Sequence, residues 1–209
     1  MPLMNRRCAM LGLGAAVAAP AWLAGRRGES AHQAESPFRF CLNTSTIRGQ
    51  EISLLEQVTV AATAGYDGIE PWLGDIHDYA RQGNDLADMG KRIADAGLTV
   101  ESAIGFARWI VDDPTERQQA LRNAERDMRA LKTIGGSRIA APPVGAIGPI
   151  DLDVIAERYR ALLEIGENVG VVPQLELWGH SPAIHRLSQL VYIATATGHP
   201  RACLLPDVY

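Results

Sequence analysis

The chain has 209 residues, 47% of them hydrophobic, which is enough to bury one sizeable core. Its formal charge is −4, and it carries only three cysteines. That balance disfavours a polyanion binder with clustered Lys and Arg, so nucleic acid is not an expected partner.

Asn5-Arg6-Arg7 followed by an Ala/Gly/Leu/Val-rich run to about Ala24 is a basic region leading into a short apolar one, with small residues at Ala19-Pro20-Ala21. Residues 1–27 are therefore expected to be an export signal, and the paired arginines resemble the twin-arginine type; an ordinary secretory signal or a retained anchor is the alternative. The expected location is the periplasm. Removing residues 1–27 takes away four arginines and no acid, leaving 16 basic against 24 acidic side chains and a formal charge of −8. Beyond the signal no apolar run is long enough to span a membrane. Residues 28–37 are polar and read as a linker. Cys41 and Cys203 fall on separate expected strands, which favours buried thiols over a disulfide.

Strands are expected at Phe38–Leu42, Tyr66–Glu70, Leu98–Ile104, Ser137–Ala141, Val171–Leu177 and Cys203–Val208. Between them run amphipathic helices, each closed by a glycine: Gly65, Gly97, Gly135, Gly170 and Gly198. Leu121, Ala124, Met128, Leu131 and Ile134 mark one apolar stripe, and Ile155, Tyr159, Leu162 and Val169 another. Asp113-Pro114 and Pro149-Ile150-Asp151 have the chemistry of helix starts. Six strands with five intervening helices argue for parallel βαβ units. Pro173 and Pro206 lie inside two of the strands, where a missing N–H is normally costly.

A doubly wound open sheet would satisfy this repeat. The distribution of polar and aromatic residues decides otherwise: Glu70-Pro71-Trp72, Phe106–Trp109, Glu176–His180 and Asp207 all follow strand ends, as at the mouth of a (β/α)8 barrel. Eight units need roughly 250 residues, so the fold class expected is α/β, an incomplete TIM barrel over residues 38–209. Its first and sixth strands would keep open edges, and self-association through them is expected.

Val171–His180 carries the chemistry. Side chains alternate along a strand, so Gln174 and Glu176 share one face and Leu175 and Leu177 the other. A carboxylate on a strand built for burial needs a cation, a proton-transfer role or a buried ion pair to offset its desolvation. Asp207 ends a second apolar run in the same way, and two such acids on neighbouring strands suit a hard metal ion. Trp72, Trp109 and Trp178 sit at or beyond strand ends, where an indole can face the C–H side of a sugar or cap the core. Glu70 either binds hydroxyls or pairs with a neighbouring strand. His180 touches substrate or packs at a helix start. Glu101 is expected to be a structural partner of Arg39, and His77 and His185 to be solvated. Gly145–Gly148 lacks the residues of a phosphate loop.

Taken together, Phe38–Gln50, Gly65–Trp72, Leu98–Phe106, Leu175–Gly179 and Leu204–Tyr209 resemble the xylose isomerase-like TIM-barrel family, which includes sugar phosphate isomerases, hydroxypyruvate isomerase and ketose 3-epimerases. The resemblance implies a divalent metal (Mn, Mg, Co or Zn) held by a Glu on strand five and an Asp on strand six, which Glu176 and Asp207 match. A His and an acid from later strands have no counterpart before Tyr209. It further implies a small carbohydrate substrate and proton transfer beside a carbonyl through an enediolate, with Glu176 as a shuttle. Glu70, Trp72, Trp109, Trp178 and His180 are the expected substrate contacts. The rival readings are a carbohydrate-binding or inactive fragment and, against the acidic charge, a metal-dependent endonuclease.

Overall fold

The structure is a computed structural model that describes residues 38–207. The expected signal over 1–27 and the linker over 28–37 lie outside the described residues, as does Val208 of the last expected strand. Among the described residues no helix is long and apolar enough to cross a membrane.

Six parallel strands form the frame: β1 (Cys41–Asn43), β2 (Gly68–Glu70), β3 (Thr99–Val100), β4 (Arg138–Ala141), β5 (Val172–Glu176) and β6 (Leu204–Leu205). They pair as β1-β2-β3 and β4-β5-β6. Past β3, the Ala140 N–H donates to the Ala103 carbonyl at 2.9 Å, so the two sets meet in one continuous wall. That wall is a partial, unclosed TIM barrel, with one edge of β1 and one of β6 lacking a strand among the described residues.

Six α-helices cover the wall: α1 (Leu54–Thr63), α2 (Leu73–Arg81), α3 (Leu86–Asp95), α4 (Pro114–Thr133), α5 (Leu152–Val169) and α6 (Leu187–Ala196). Their starts are chemically fixed. Asp113 accepts the Glu116 N–H at 2.7 Å ahead of Pro114, Asp151 accepts from Asp153 and Val154, and Ser53 and Glu56 cap each other. Gly65, Gly97, Gly135, Gly170 and Gly198 all take positive φ after their helices, as the stop signals predicted.

Two connections differ from expectation. The single helix expected between β2 and β3 is two, because Gly83 turns the chain at φ 85° and Asp85 caps a new start by accepting from the Ala87 N–H. The polar loop expected after β1 is a 3₁₀ helix over Thr44–Gln50, nucleated when the Asn43 side chain accepts the Ser45 N–H at 3.0 Å.

The core lies between the wall and its helices. The apolar stripe of α4 buries Ala124, Met128 and Leu131, with Ile134 just past its end, and that of α5 buries Ile155, Tyr159 and Leu162. Along β5 burial alternates, with Pro173 and Leu175 toward the helices and Val172, Gln174 and Glu176 half-buried on the concave face. Pro173 is tolerated for a reason the register gives. The Leu175 and Leu177 N–H groups donate to Cys203 and Leu205, so the position of Pro173 faces β6 before that strand begins. Gly166 of α5 is required beside it, since a Cβ there would stand 2.6 Å from the proline ring and 2.3 Å from the Val171 carbonyl oxygen.

Candidate active site at the strand ends

The concave face ends in a cavity of about 660 Å³ at the C-terminal ends of the strands. Glu70, Glu176 and Asp207 line it, together with Trp72, Phe106 and Trp178. Register explains why. Glu176 stands level with Leu205, and Asp207 follows two positions on, so both acids leave neighbouring strands on the same side. Glu70 ends β2 level with Asn43, whose amide donates to a Glu70 carboxylate oxygen at 2.8 Å.

Electrostatically the site is unbalanced. Among the described residues no Lys, Arg or His pairs with Glu70, Glu176 or Asp207, so the buried ion pair considered for Glu176 is not formed. Burial pushes the Glu176 carboxyl up to about 7; the Trp178 indole acts in the opposite sense, while the nearby Asp207 and Glu70 charges push the same way as burial. Glu70 is raised too, first by burial and also by Asp207. The three acids thus sense one another across a single cavity.

Hard oxygen donors without a counter-charge are the chemistry a divalent cation offsets, and Glu176 and Asp207 are the pair suited to hold one. Among the described residues no three His, Cys, Asp or Glu side chains converge closely enough to ligate one ion, so these two would supply part of a coordination shell.

Aromatic rings form an arc over the cavity. Trp72 and Phe106 lie 5.0 Å apart between centroids, Phe106 and Trp178 6.3 Å, and Trp178 and His180 5.0 Å in a stacked arrangement. The Arg48 guanidinium covers the Trp72 ring at 3.9 Å. His180 itself is exposed and does not line the cavity; its ring stacks against Trp178. The following Ser181 builds a turn by accepting from Ala183 and Ile184, and α6 begins only at Leu187.

Trp109 is not in the mouth. It is fully buried, its indole donates to the Pro142 carbonyl at 2.9 Å, and its ring packs 5.9 Å from Tyr159. The apolar Trp109-Ile110-Val111 run folds down between the strand ends and α5 rather than outward, because all three side chains find a core. His77 is not simply solvated, since its Nε2 meets the Asp127 carboxylate at 2.7 Å. Cys41 is exposed on the concave face and Cys203 half-buried, and both are free thiols. Glu101 does pair with Arg39, at 3.3 Å, and with Arg138 at 4.0 Å. Sequence reading passed over Asn43 and Arg48. The only signal for Asn43 was an amide following a β-strand, and Arg48 gave none.

A model of the xylose isomerase-like TIM barrel matches residues 58–209. The chain belongs to that family. Among solved structures it is similar to a zinc-bound IolI protein, with 19% identity, a TM-score of 0.72, and 80% of this chain and 62% of that one covered. It is also similar to a D-psicose 3-epimerase determined with D-fructose (15% identity, TM-score 0.67, 81% and 63% covered). An L-ribulose 3-epimerase matches at 20% identity and a TM-score of 0.64, with 81% and 60% covered. At such identities the likeness establishes the fold. The chain spans about 62% of the length of the IolI structure it matches. No curated protein matches the sequence.

Proposed function

We propose that this family member is a sugar isomerase or epimerase that moves a proton at a carbon beside a carbonyl, with Glu176 as the proton carrier. One observation carries the reading: Glu176, free of any cationic partner among the described residues, faces a cavity that it shares with two further carboxylates. A carboxylate so placed can take a proton from a carbon beside a carbonyl and return it, which is what enolisation demands of its base. Glu70, held by Asn43, is suited to orient a substrate hydroxyl. The faces of Trp72, Phe106 and Trp178 suit the C–H side of a sugar and exclude water from the acids. A divalent metal bound through Glu176 and Asp207 would supply Lewis acidity to the oxygens next to the reacting carbon. The fold shared with D-psicose 3-epimerase and L-ribulose 3-epimerase supports small ketoses as the substrate class.

The test is deuterium incorporation. With Mn²⁺ or Zn²⁺ in D₂O, the full chain is expected to exchange a proton next to the carbonyl of at least one ketose in a panel, read by ¹H NMR, and Glu176→Gln to lose that exchange. Absence of metal uptake by elemental analysis, together with no exchange across the panel, overturns the proposal.

The aromatic arc favours a second reading, carbohydrate binding without turnover, because stacking on Trp72 and Phe106 requires neither metal nor base. Calorimetric binding of a ketose without exchange would select it. We also hold to export through residues 1–27 and to self-association through the free edges of β1 and β6; cleavage mapping by mass spectrometry and concentration-dependent sedimentation test them.

A further inference from the structure

A second cavity, of about 490 Å³, opens between α2 and α4 and is not used by the chemistry above. It shares Trp72, Ile104 and Phe106 with the active-site cavity, so the same aromatic wall borders both. Phe106 stands on the crest, 43% exposed, where a ligand long enough to occupy both cavities would cross.

Its polar side is one face of α4. Glu116, Gln119, Asn123 and Asp127 recur at three- and four-residue spacing, which aligns them over three turns. Opposite, α2 offers His77 and Gly74. A Cβ built on Gly74 meets nothing within 4 Å, so the missing side chain leaves open space.

The charge and hydrogen-bond inventory narrows the ligand. The two arginines of the lining, Arg108 and Arg126, equal its two acids, Glu116 and Asp127, in number, so it carries no net formal charge, although Arg126 pairs with neither acid. Arg108 pairs with Glu116, and Asp127 with His77. The Arg126 guanidinium and the Asn123 amide nitrogen have no protein acceptor among the described residues, although the Asn123 oxygen already accepts from Gln119. Free N–H donors beside carboxylate and amide oxygens, closed on one side by aromatic faces, are the groups that recognise a neutral polyhydroxyl ring: each hydroxyl both donates and accepts, and the ring's C–H face stacks.

We propose that this cleft is a subsite for a second, uncharged sugar unit, and that the protein therefore acts on, or binds, a glycoside or disaccharide rather than a free monosaccharide. The inference rests on the sugar reading of the first cavity, but not on its catalysis.

Binding measured by calorimetry on the full chain separates the two. Maltose, cellobiose and sucrose are titrated against D-glucose and D-fructose, with D-glucose 6-phosphate as the charged comparison. At least one disaccharide is expected to bind tenfold or more tightly than either monosaccharide. Gly74→Phe, which fills the cleft, is expected to remove that advantage while leaving monosaccharide affinity within twofold; Gly74→Ala, which leaves it open, is expected to keep the advantage. Asn123→Ala is expected to lower the advantage by about threefold to tenfold. Equal affinities, no disaccharide binding, an advantage that survives Gly74→Phe, or tighter binding of the sugar phosphate than of any disaccharide overturns the proposal. Disaccharide binding that depends on Gly74, with no deuterium exchange, would leave this subsite standing while the catalytic reading fails.

Discussion

Two carboxylates project from adjacent strands toward the same concave face, one residue pair in register, and meet opposite fates. Glu101, just after β3, lies across Gly68 and reaches down to Arg39 and Arg138, with the Thr99 hydroxyl donating to it. Glu70, its neighbour at the end of β2, points to the rim and meets an amide but no cation among the described residues. The lower layer thus closes its charge within the protein, whereas the rim leaves three acids to be balanced by something else. In barrels of this kind the lower end serves stability and the upper end serves chemistry, and here the pairing of the acids separates the two directly.

The sharpest way to break that comparison is Glu176→Gln. Exchange is expected to fall by 10²–10⁴-fold, about the contribution of a positioned general base. Stability should move the other way. Because the folded-state carboxyl holds its proton up to about 7 against an ordinary 4.5, ionising Glu176 costs the fold stability as pH rises through that range. The variant is therefore expected to melt higher than the parent at pH 8 and at the same temperature at pH 4. A lower Tm at pH 8 would mean that the carboxylate is compensated inside the protein, as Glu101 is.

Tryptophans offer the next contrast. Trp109→Ala should cost about 3–5 kcal/mol through the cavity it leaves and its lost bond to Pro142, with ketose affinity unchanged wherever the variant folds. Trp72→Ala is expected to cost less than that in stability, and to weaken ketose binding several-fold. Chemical denaturation with calorimetry on each variant reads both, and matching effects would erase the distinction between core and mouth.

The smallest effects belong to the lower layer. Gly68→Ala places a Cβ 2.7 Å from Glu101 Cγ and 3.0 Å from the Thr99 carbonyl oxygen, and is expected to cost about 1–3 kcal/mol. Glu101→Gln, whose carboxylate is one-third exposed, is expected to cost about 1 kcal/mol or less. A larger loss for the second than for the first would show that charge, and not the close approach over Gly68, organises this layer.

Much of this could be read in the residues. Positive-φ glycines after helices, Asp113-Pro114 and Asp151 at helix starts, and the alternation of Gln174 and Glu176 with Leu175 are local signals, and each fixes its neighbours through backbone geometry alone. The family resemblance rested on such blocks. The placement of Trp109 and His180 was not legible, since both lie in loops whose direction depends on which core has room for them. The second helix between β2 and β3, by contrast, is marked by the same kind of local signals, a glycine at positive φ (Gly83) and a capping aspartate (Asp85), and was passed over.

By itself, then, the sequence determined the parallel repeat and placed two acids, Glu176 and Asp207, at the end of β5 and just after β6. Those follow from periodicities of two and 3.6, which each segment carries alone. Tertiary structure decided that Glu70 joins them, that Arg39 and Arg138 take Glu101 instead, and that Trp72 and Phe106 divide two cavities. These are relations between segments far apart in the chain, set by register and by which charge each side chain meets once packed, and no local pattern encodes them.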